Sequence, residues 1–309
     1  MKSPIKIGTR GSPLALYQAE LIRAKLKVSY PLVEFELVKI HTKGDMIRRG
    51  SVAQIGERIF THEIEQALLK KEIDLGVHSA KDLAAVLPEG LELAAVSERE
   101  DSRDCLVARN KMILNQLSPG AKVGTSSLRR KAQIRKLRSD LEIIEIRGNV
   151  ETRLRKVKEG ACDAVALAYA GLRRLGLSNK ASQIFDEDEI LPQAGQGIIG
   201  VEIRSNDSEM KEFVRPINHQ LTYFRALAER GFLARLQGGC QVPVGVSSKI
   251  EGNLLFMRGA IFSLEGDRSV SDTASGALDQ PAGVGIILAE KLLSQGGREI
   301  LESIRKGTR

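Results

Sequence analysis

The sequence predicts an α/β protein: two α/β units joined by two crossings of the chain, followed by a small C-terminal α+β unit. Three observations predict it. Short apolar runs alternate with helical spacings over the first two thirds of the 309 residues, a rhythm that builds sheets with helices on their faces. Two stretches rich in charge or glycine, Ser97–Arg103 and Gln193–Gly197, interrupt that rhythm as hinges. From Asn218 onward the pattern changes to one long helical spacing and then alternating strands. The expected bounds are 1–98 with 198–216 for the first unit, 99–197 for the second and 217–309 for the third.

Ile5 to Gly8 reads as a strand, and a helix opens at Ser12 with Pro13 in its first turn, where a missing N–H is harmless. Phe35 to Ile40 is a second strand. His62 to Lys71 sets Ile64, Ala67, Leu68 and Leu69 at helical spacing. Ile73 to Val77 reads as a buried strand ending in His78-Ser79-Ala80-Lys81-Asp82, and Leu91 to Val96 and Cys105 to Ala108 follow as strands in a mainly parallel sheet. The second round runs strand Ala121–Val123, helix Ser127–Arg138, strand Glu142–Ile146, helix Asn149–Lys158 and strand Ala164–Ala168. The chain then returns to the first unit through Ile198 to Ile203. In the third unit a helix carrying Leu221, Phe224, Leu227, Ala228, Phe232 and Leu236 stops at Gly238-Gly239. Strands at Val242–Ile250 and Leu254–Ile261 and a helix near Gly285–Leu293 complete the unit.

A hydrophobic fraction of 42% and a charged fraction of 28% are ordinary for a globular protein, and the chain is long enough for a core without disulfides or metals. Trp is absent and aromatics make up 4%, so bases of a single-stranded nucleic acid would find few stacking platforms. The net charge of +8 asks for an anionic partner. Arg occurs as singles and pairs beside Gly, Ser and Thr rather than in a basic block, which suits discrete anion sites better than a phosphate-tracking stripe. Met1 to Gly8 lacks the apolar core of a secretory signal. The longest apolar run, Ala164–Leu172, falls short of the ~20 residues a membrane helix needs. Three cysteines, Cys105, Cys162 and Cys240, cannot all pair, and no CxxC or His cluster accompanies them. No metal site and a reducing, cytoplasmic setting are expected.

The chemistry-bearing residues cluster where strands hand over to helices, the end at which open α/β sheets bind ligands. Thr9-Arg10-Gly11-Ser12 offers free helix N–H groups and a guanidinium fork to a carboxylate, and it also suits a plain N-cap Ser beside a surface Arg. Gly124-Thr125-Ser126-Ser127-Leu128-Arg129-Arg130 sets three hydroxyls before a helix and two cations in its first turn, where they oppose the helix dipole unless an anion compensates. Arg147-Gly148-Asn149 and Arg153 open the next helix, and Arg173-Arg174 follows the strand after it. Lys81 and Asp82 follow the strand that ends at His78, so Asp82 is either an ion-pair partner or a carboxylate facing a ligand N–H or a developing cation. Cys240 stands on a Gly-Gly turn, accessible there but with nothing that activates a thiol.

At these residues the sequence resembles the porphobilinogen deaminase (hydroxymethylbilane synthase) family. Seven motifs carry the resemblance in order: Thr9 to Leu16, His78 to Asp82, Glu98 to Asp101, Gly124 to Arg130, Arg147 to Val150, Leu191 to Gly197 and Gly238 to Gly245. The resemblance implies two periplasmic-binding-protein-like α/β domains with a hinge, plus a small third domain. It implies a dipyrromethane cofactor in thioether linkage to Cys240, on which four porphobilinogen molecules are joined head to tail with loss of ammonia, and hydrolytic release of hydroxymethylbilane. It gives Asp82 the pyrrole N–H groups and the charge that develops as ammonia leaves and the azafulvene forms. Lys81, Asp82, Thr125, Ser126, Ser127, Arg129 and Arg130 are implied to hold the cofactor. Arg10, Ser12, Arg147, Arg153 and Gln196 are implied to receive the substrate, with Arg174 nearer the growing chain. A monomer is expected, bound to neither nucleic acid nor membrane. One stretch departs from the family pattern. The mobile loop over the cleft, usually Gly-Gly-Lys-Gly-Leu-Phe-like, here reads Ile55-Gly56-Glu57-Arg58-Ile59-Phe60, preceded by Arg48-Arg49. Ala84 and Ala85 replace a usual Val-Pro, with little consequence expected.

Two other classes fit parts of the pattern. A two-domain anion-binding module would share the fold but has no need of Cys240. A nucleic-acid binder, motivated by charge alone, predicts steep salt dependence where the enzyme predicts selectivity for carboxylates.

Overall fold

The computed structural model describes residues 4–46, 59–237 and 242–307. Cys240, the Gly238-Gly239 helix stop and the loop residues Arg48, Arg49, Gly56, Glu57 and Arg58 lie outside the described residues.

The first sheet has the order β2-β1-β3-β10-β4, from β1 (Ile5–Arg10), β2 (Phe35–Ile40), β3 (Leu75–Ser79), β4 (Leu91–Val96) and β10 (Ile199–Arg204). Helix α1 (Pro13–Ser29) begins where predicted, its N-cap Ser12 accepting from the Ala15 N–H. It buries Ala15, Ala19, Ile22 and Leu26, and the last three meet Ile5, Ile7, Val77 and Val201 of the sheet. Helix α2 (His62–Leu69) covers the other face through Ile64 and Leu68. Each large apolar side chain buried this way contributes about 1.5–3 kcal/mol.

The second sheet, β7-β6-β8-β5-β9, is built from β5 (Asp104–Ala108), β6 (Lys122–Gly124), β7 (Glu142–Ile144), β8 (Ala164–Ala168) and β9 (Gln183–Ile184). Helices α3 (Leu128–Leu137), α4 (Val150–Lys158) and α5 (Tyr169–Arg174) accompany it. Four strands of each sheet run the same way, as expected, and one central strand runs against them. In the first, β1 runs parallel to β2 and β3, but β10 is antiparallel to β3 and β4. In the second, β6 runs parallel to β7 and β8, and β5 is antiparallel to β8 and β9. The physical reason lies in the crossings. β5 and β10 each follow a hinge directly, so they enter their sheets from the cleft end that the other central strands run toward.

The two crossings lie side by side. The Ser97 N–H donates to Ile199 O at 2.9 Å and the Glu100 N–H to Gly197 O at 2.9 Å. Gly195 and Gly197 adopt φ of +73° and +85°. A Cβ at Gly195 would come within 2.9 Å of the Lys81 nitrogen, and one at Gly197 within 2.2 Å of Glu100 O. Only glycine fits both the dihedral and the approach.

After α6 (Ser208–Val214), the long helix α7 (Gln220–Arg235) leads into an antiparallel sheet, β11-β12-β13. Its strands are β11 (Val244–Glu251), β12 (Leu254–Phe262) and β13 (Ser269–Ala277). Helices α8 (Pro281–Leu292) and α9 (Arg298–Gly307) follow. Phe232, Leu255, Ile261, Leu288 and Leu292 form its core. β13 and α9 were not expected. β13, with its small polar side chains mostly outside the core, is held by its backbone register to β12.

Candidate active site

The first wall of the cleft forms at the strand ends of the first sheet. Arg10 closes β1, Ser12 caps α1, and Lys81 and Asp82 occupy the 3-10 turn after β3. Together with Phe60, Gln18 and His78 they line one pocket of about 100 Å³. The Arg10 guanidinium lies over the Phe60 ring, 4.2 Å from its centroid. Gln18 Nε2 donates to Ser79 Oγ at 2.9 Å and so ties α1 to the strand that carries Lys81 and Asp82.

The second wall is the start of α3. Ser127 is the N-cap, its Oγ accepting from the Arg130 N–H at 3.4 Å. Ser126 Oγ donates to Ile146 O at 2.6 Å, and Thr125 Oγ1 accepts from the Ser127 N–H at 3.2 Å. Arg129 and Arg130, 3% and 6% exposed, converge on one buried carboxylate. Arg129 Nη1 donates to Asp104 Oδ2 at 2.6 Å and to Leu191 O at 2.6 Å. Arg130 donates to Asp104 Oδ1 from Nη2 at 2.7 Å and from Nε at 3.0 Å. Burial opposes the Asp104 charge, yet the two guanidinium groups hold its carboxyl well below the usual carboxylate range. The cations of this first turn thus have an anion within the protein itself.

Next on this wall, Arg147 Nε donates to Glu145 Oε1 at 3.1 Å, while its buried Nη2 has no hydrogen-bond partner among the described residues. Arg153 Nε donates to Gly148 O at 2.8 Å. Burial, and then the Arg130 and Arg147 charges, push the Arg153 guanidinium down to about 10, while Asp82 from the opposite wall acts the other way. Burial and then Arg130 push Lys81 down to about 8. Lys81 and Arg153 thus stand in the field of Asp82, Arg10 lines the same pocket as Asp82, and Arg147 adds its charge beside Arg153.

Two predicted residues sit at the hinge instead. Gln196 is fully buried. Its Oε1 accepts from Lys81 Nζ at 3.3 Å, and its Nε2 donates to Ser102 O at 2.6 Å and to Asp104 Oδ1 at 2.9 Å. Arg174 Nη2 donates to Gly197 O at 2.7 Å, and Arg173 pairs with Glu100 at 2.8 Å.

Sequence reasoning missed Asp104 and the pair formed by Arg99 and Glu229. Arg99 Nη1 lies 2.5 Å from Glu229 Oε1 with both side chains buried, and its Nε donates to Gln196 O at 2.8 Å. Glu229 Oε2 accepts from the Gly195 N–H at 2.7 Å and Oε1 from Ser248 Oγ at 2.5 Å. One carboxylate on α7 thus holds both hinge crossings and β11. The available signal was Arg99 within the Glu98–Asp101 motif, and an Asp directly before a wholly apolar strand.

Fold and site define an α/β protein of two sheet units whose strand ends carry an excess of cationic side chains, the chemistry that suits a carboxylate-bearing ligand. The family model described as porphobilinogen deaminase, dipyromethane cofactor binding domain, matches residues 5–212, and the one described as porphobilinogen deaminase, C-terminal domain, matches residues 223–294. The chain is 45% identical to the porphobilinogen deaminase of Carboxydothermus hydrogenoformans over 307 residues, covering 99% of each chain. It is 47% identical to that of Roseiflexus sp. strain RS-1 over 97% of this chain and 99% of the relative. The Geobacter sulfurreducens enzyme is 46% identical over 97% and 94%. Among solved structures, an ancestral arginine-binding protein bound to arginine is 16% identical with a TM-score of 0.41, covering 70% of this chain and 92% of its own. The chain belongs to the porphobilinogen deaminase family. It is a transferase of tetrapyrrole biosynthesis that joins porphobilinogen into hydroxymethylbilane on a dipyrromethane cofactor. No described helix is long and apolar enough to cross a membrane.

Proposed function

We propose that this cleft divides the family's reaction among named residues of this chain, in three units bounded at 1–98 with 198–216, 99–197 and 217–309. The observation that carries the division is the surplus of half-buried cations around one carboxylate. Arg147 has a buried Nη2 in want of an acceptor, and Lys81 is held down to about 8 among neighbouring cations. Groups in that condition gain from any carboxylate that reaches them. Each porphobilinogen-derived ring brings an acetate and a propionate, so the donor set fits the dipyrromethane cofactor as well as the substrate.

Cys240 is the attachment point. Lys81, Thr125, Ser126, Ser127, Arg129 and Arg130 hold the cofactor's carboxylates. When bound, the cofactor supplies the pyrrole terminus that is extended. Arg10, Ser12, Arg147 and Arg153 receive the incoming substrate, with Gln196 and Arg174 acting from the hinge. Asp82, which also belongs to the cofactor-binding set, accepts hydrogen bonds from pyrrole N–H groups and offsets the positive charge that develops as ammonia departs, a term worth more in a closed site than in water. Arg48, Arg49, Gly56, Glu57, Arg58 and Phe60 make up the loop over the cleft. The protein works as a cytoplasmic monomer that binds neither nucleic acid nor membrane.

Asp82→Asn keeps the fold and removes the charge, so turnover should fall by about a thousand-fold with the melting temperature unchanged. A turnover near that of the unaltered enzyme overturns the role. Intact mass should show two pyrrole units on the protein, and Cys240→Ser should abolish the adduct. An adduct that survives the substitution removes Cys240 from the assignment.

A further inference from the structure

Behind the catalytic strand lies a second buried charge cluster that the reaction as described does not use. β10 sits between β3 and β4, with Gly200 opposite His78 and Glu202 opposite Gly76. Glu202 and His78 are fully buried. His78 Nε2 stands 3.1 Å from Glu202 Oε2, outside good hydrogen-bond alignment, and neither carboxylate oxygen has a hydrogen-bond partner among the described residues.

The third unit packs a basic helix face beside the same strands. α7 lies along β4, where Tyr223 Oη donates to Leu93 O at 3.1 Å. Arg230 follows Tyr223 by two helical turns and so shares that face. Burial lowers the Arg230 guanidinium, and Glu202 leads the groups that act against it. A buried carboxylate without close hydrogen bonds is costly unless it is neutralised. Glu202 lies opposite Leu93 of β4, the residue that anchors Tyr223 of α7, so the basic side chains on its two sides come from a strand and a helix that lead to different parts of the site. β3 leads into the 3-10 turn of Lys81 and Asp82, and α7 ends at Arg235, five residues before Cys240 in the sequence.

We propose that Glu202 is a positioning residue: shared between His78 of β3 and Arg230 of α7, it sets the strand end carrying Asp82 against the helix that delivers Cys240. This rests on the reading of Asp82 and Cys240 given above. Glu202 touches neither substrate nor cofactor. Loosening it shifts Asp82 relative to the tethered chain and leaves Arg10, Arg147 and Arg153 to bind substrate as before.

The test uses the holoenzyme. Glu202→Gln keeps the side-chain volume and should lower kcat about ten-fold while KM stays within about two-fold, with the cofactor still present by intact mass. Arg230→Met should give the same loss, the double variant should be no slower than either single one, and Arg230→Lys should keep more than half the activity. An unchanged kcat in Glu202→Gln, losses that multiply in the double variant, or a loss confined to KM each overturn the proposal. Should Glu202→Gln not fold, Arg230→Met against Arg230→Lys decides: equal kcat in those two sinks it. Asp82→Asn assayed alongside keeps the two readings apart, because activity there refutes the role of Asp82 whatever Glu202 does.

Discussion

The arginines of the hinge and those of the cleft are the same residue type in two electrostatic conditions. At the base of the second wall, beside the hinge, Arg129 and Arg130 close on Asp104, and at the hinge itself Arg99 closes on Glu229, each within ordinary ion-pair distance and out of water. In the cleft, Arg153 donates to a backbone carbonyl, and Arg147 has a lightly held carboxylate partner, Glu145, whose side chain is half exposed. The first set has its counter-charge in the fold before any ligand arrives, so Arg129 and Arg130 meet the cofactor's carboxylates already paired with Asp104; the second set keeps its charge for the substrate. Which condition an arginine has is decided by the carboxylate that tertiary folding brings to it, and that carboxylate lies 25 to 130 residues away in the chain.

The sharpest way to break this contrast is Asp104→Asn. The amide keeps the shape but leaves two buried guanidinium groups facing no charge, and removing one partner of a buried ion pair costs about 3–5 kcal/mol. Thermal or urea unfolding should show a loss of that size. A stability change under about 1 kcal/mol would show that Arg129 and Arg130 do not depend on Asp104 for their counter-charge and belong with Arg147 and Arg153.

The opposite outcome is expected from Arg147→Ala and Arg153→Ala. Neither removes an internal counter-charge of comparable burial, so stability should change by less than about 0.5 kcal/mol. Each should instead remove a charge-assisted contact to a substrate carboxylate, about 1.5–3 kcal/mol, which raises KM by roughly ten-fold or more. Steady-state kinetics on the purified variants measures this. An unaltered KM with a lowered melting temperature would move that arginine into the structural set.

Much of this contrast was hidden from the sequence for physical reasons. Helical spacing, strand length and caps are local, so α1 with its Ser12 cap and β8 at Ala164–Ala168 were legible. β13 was not, because Ser269–Ala277 owes its strand to pairing with β12 rather than to apolar alternation. The direction of β5 and β10 was missed because it follows from the path of the crossings, not from the residues in the strands. At the site, the Thr125–Arg130 motif announced an anion beside its arginines, and the first anion proved to be Asp104, one residue outside the apolar run by which β5 was recognised. Glu229 and Glu202 carry no sequence signal beyond a charge within a helix and a charge within a strand. Nothing local distinguishes a carboxylate that will hold two hinge segments from one that faces water.

Lys81 lies between the two sets and offers the finest test. It belongs to the cleft wall, yet it touches the hinge through Gln196, and burial with the Arg130 charge lowers its proton affinity from 10.5 to about 8. In Cys240→Ser protein, which carries no cofactor carboxylates, the folded chain releases the Lys81 proton near pH 8 while the unfolded chain keeps it to about 10.5. Between those values the unfolded state binds more protons, so the Lys81 contribution to stability rises with pH across that window and is flat below it. The difference in unfolding free energy between Cys240→Ser and Cys240→Ser/Lys81→Met isolates that contribution from every other titrating group. Loading the cofactor should return Lys81 to its protonated form and erase the slope. A slope that persists in holoenzyme would show that Lys81 faces the hinge arginines alone and holds no cofactor carboxylate.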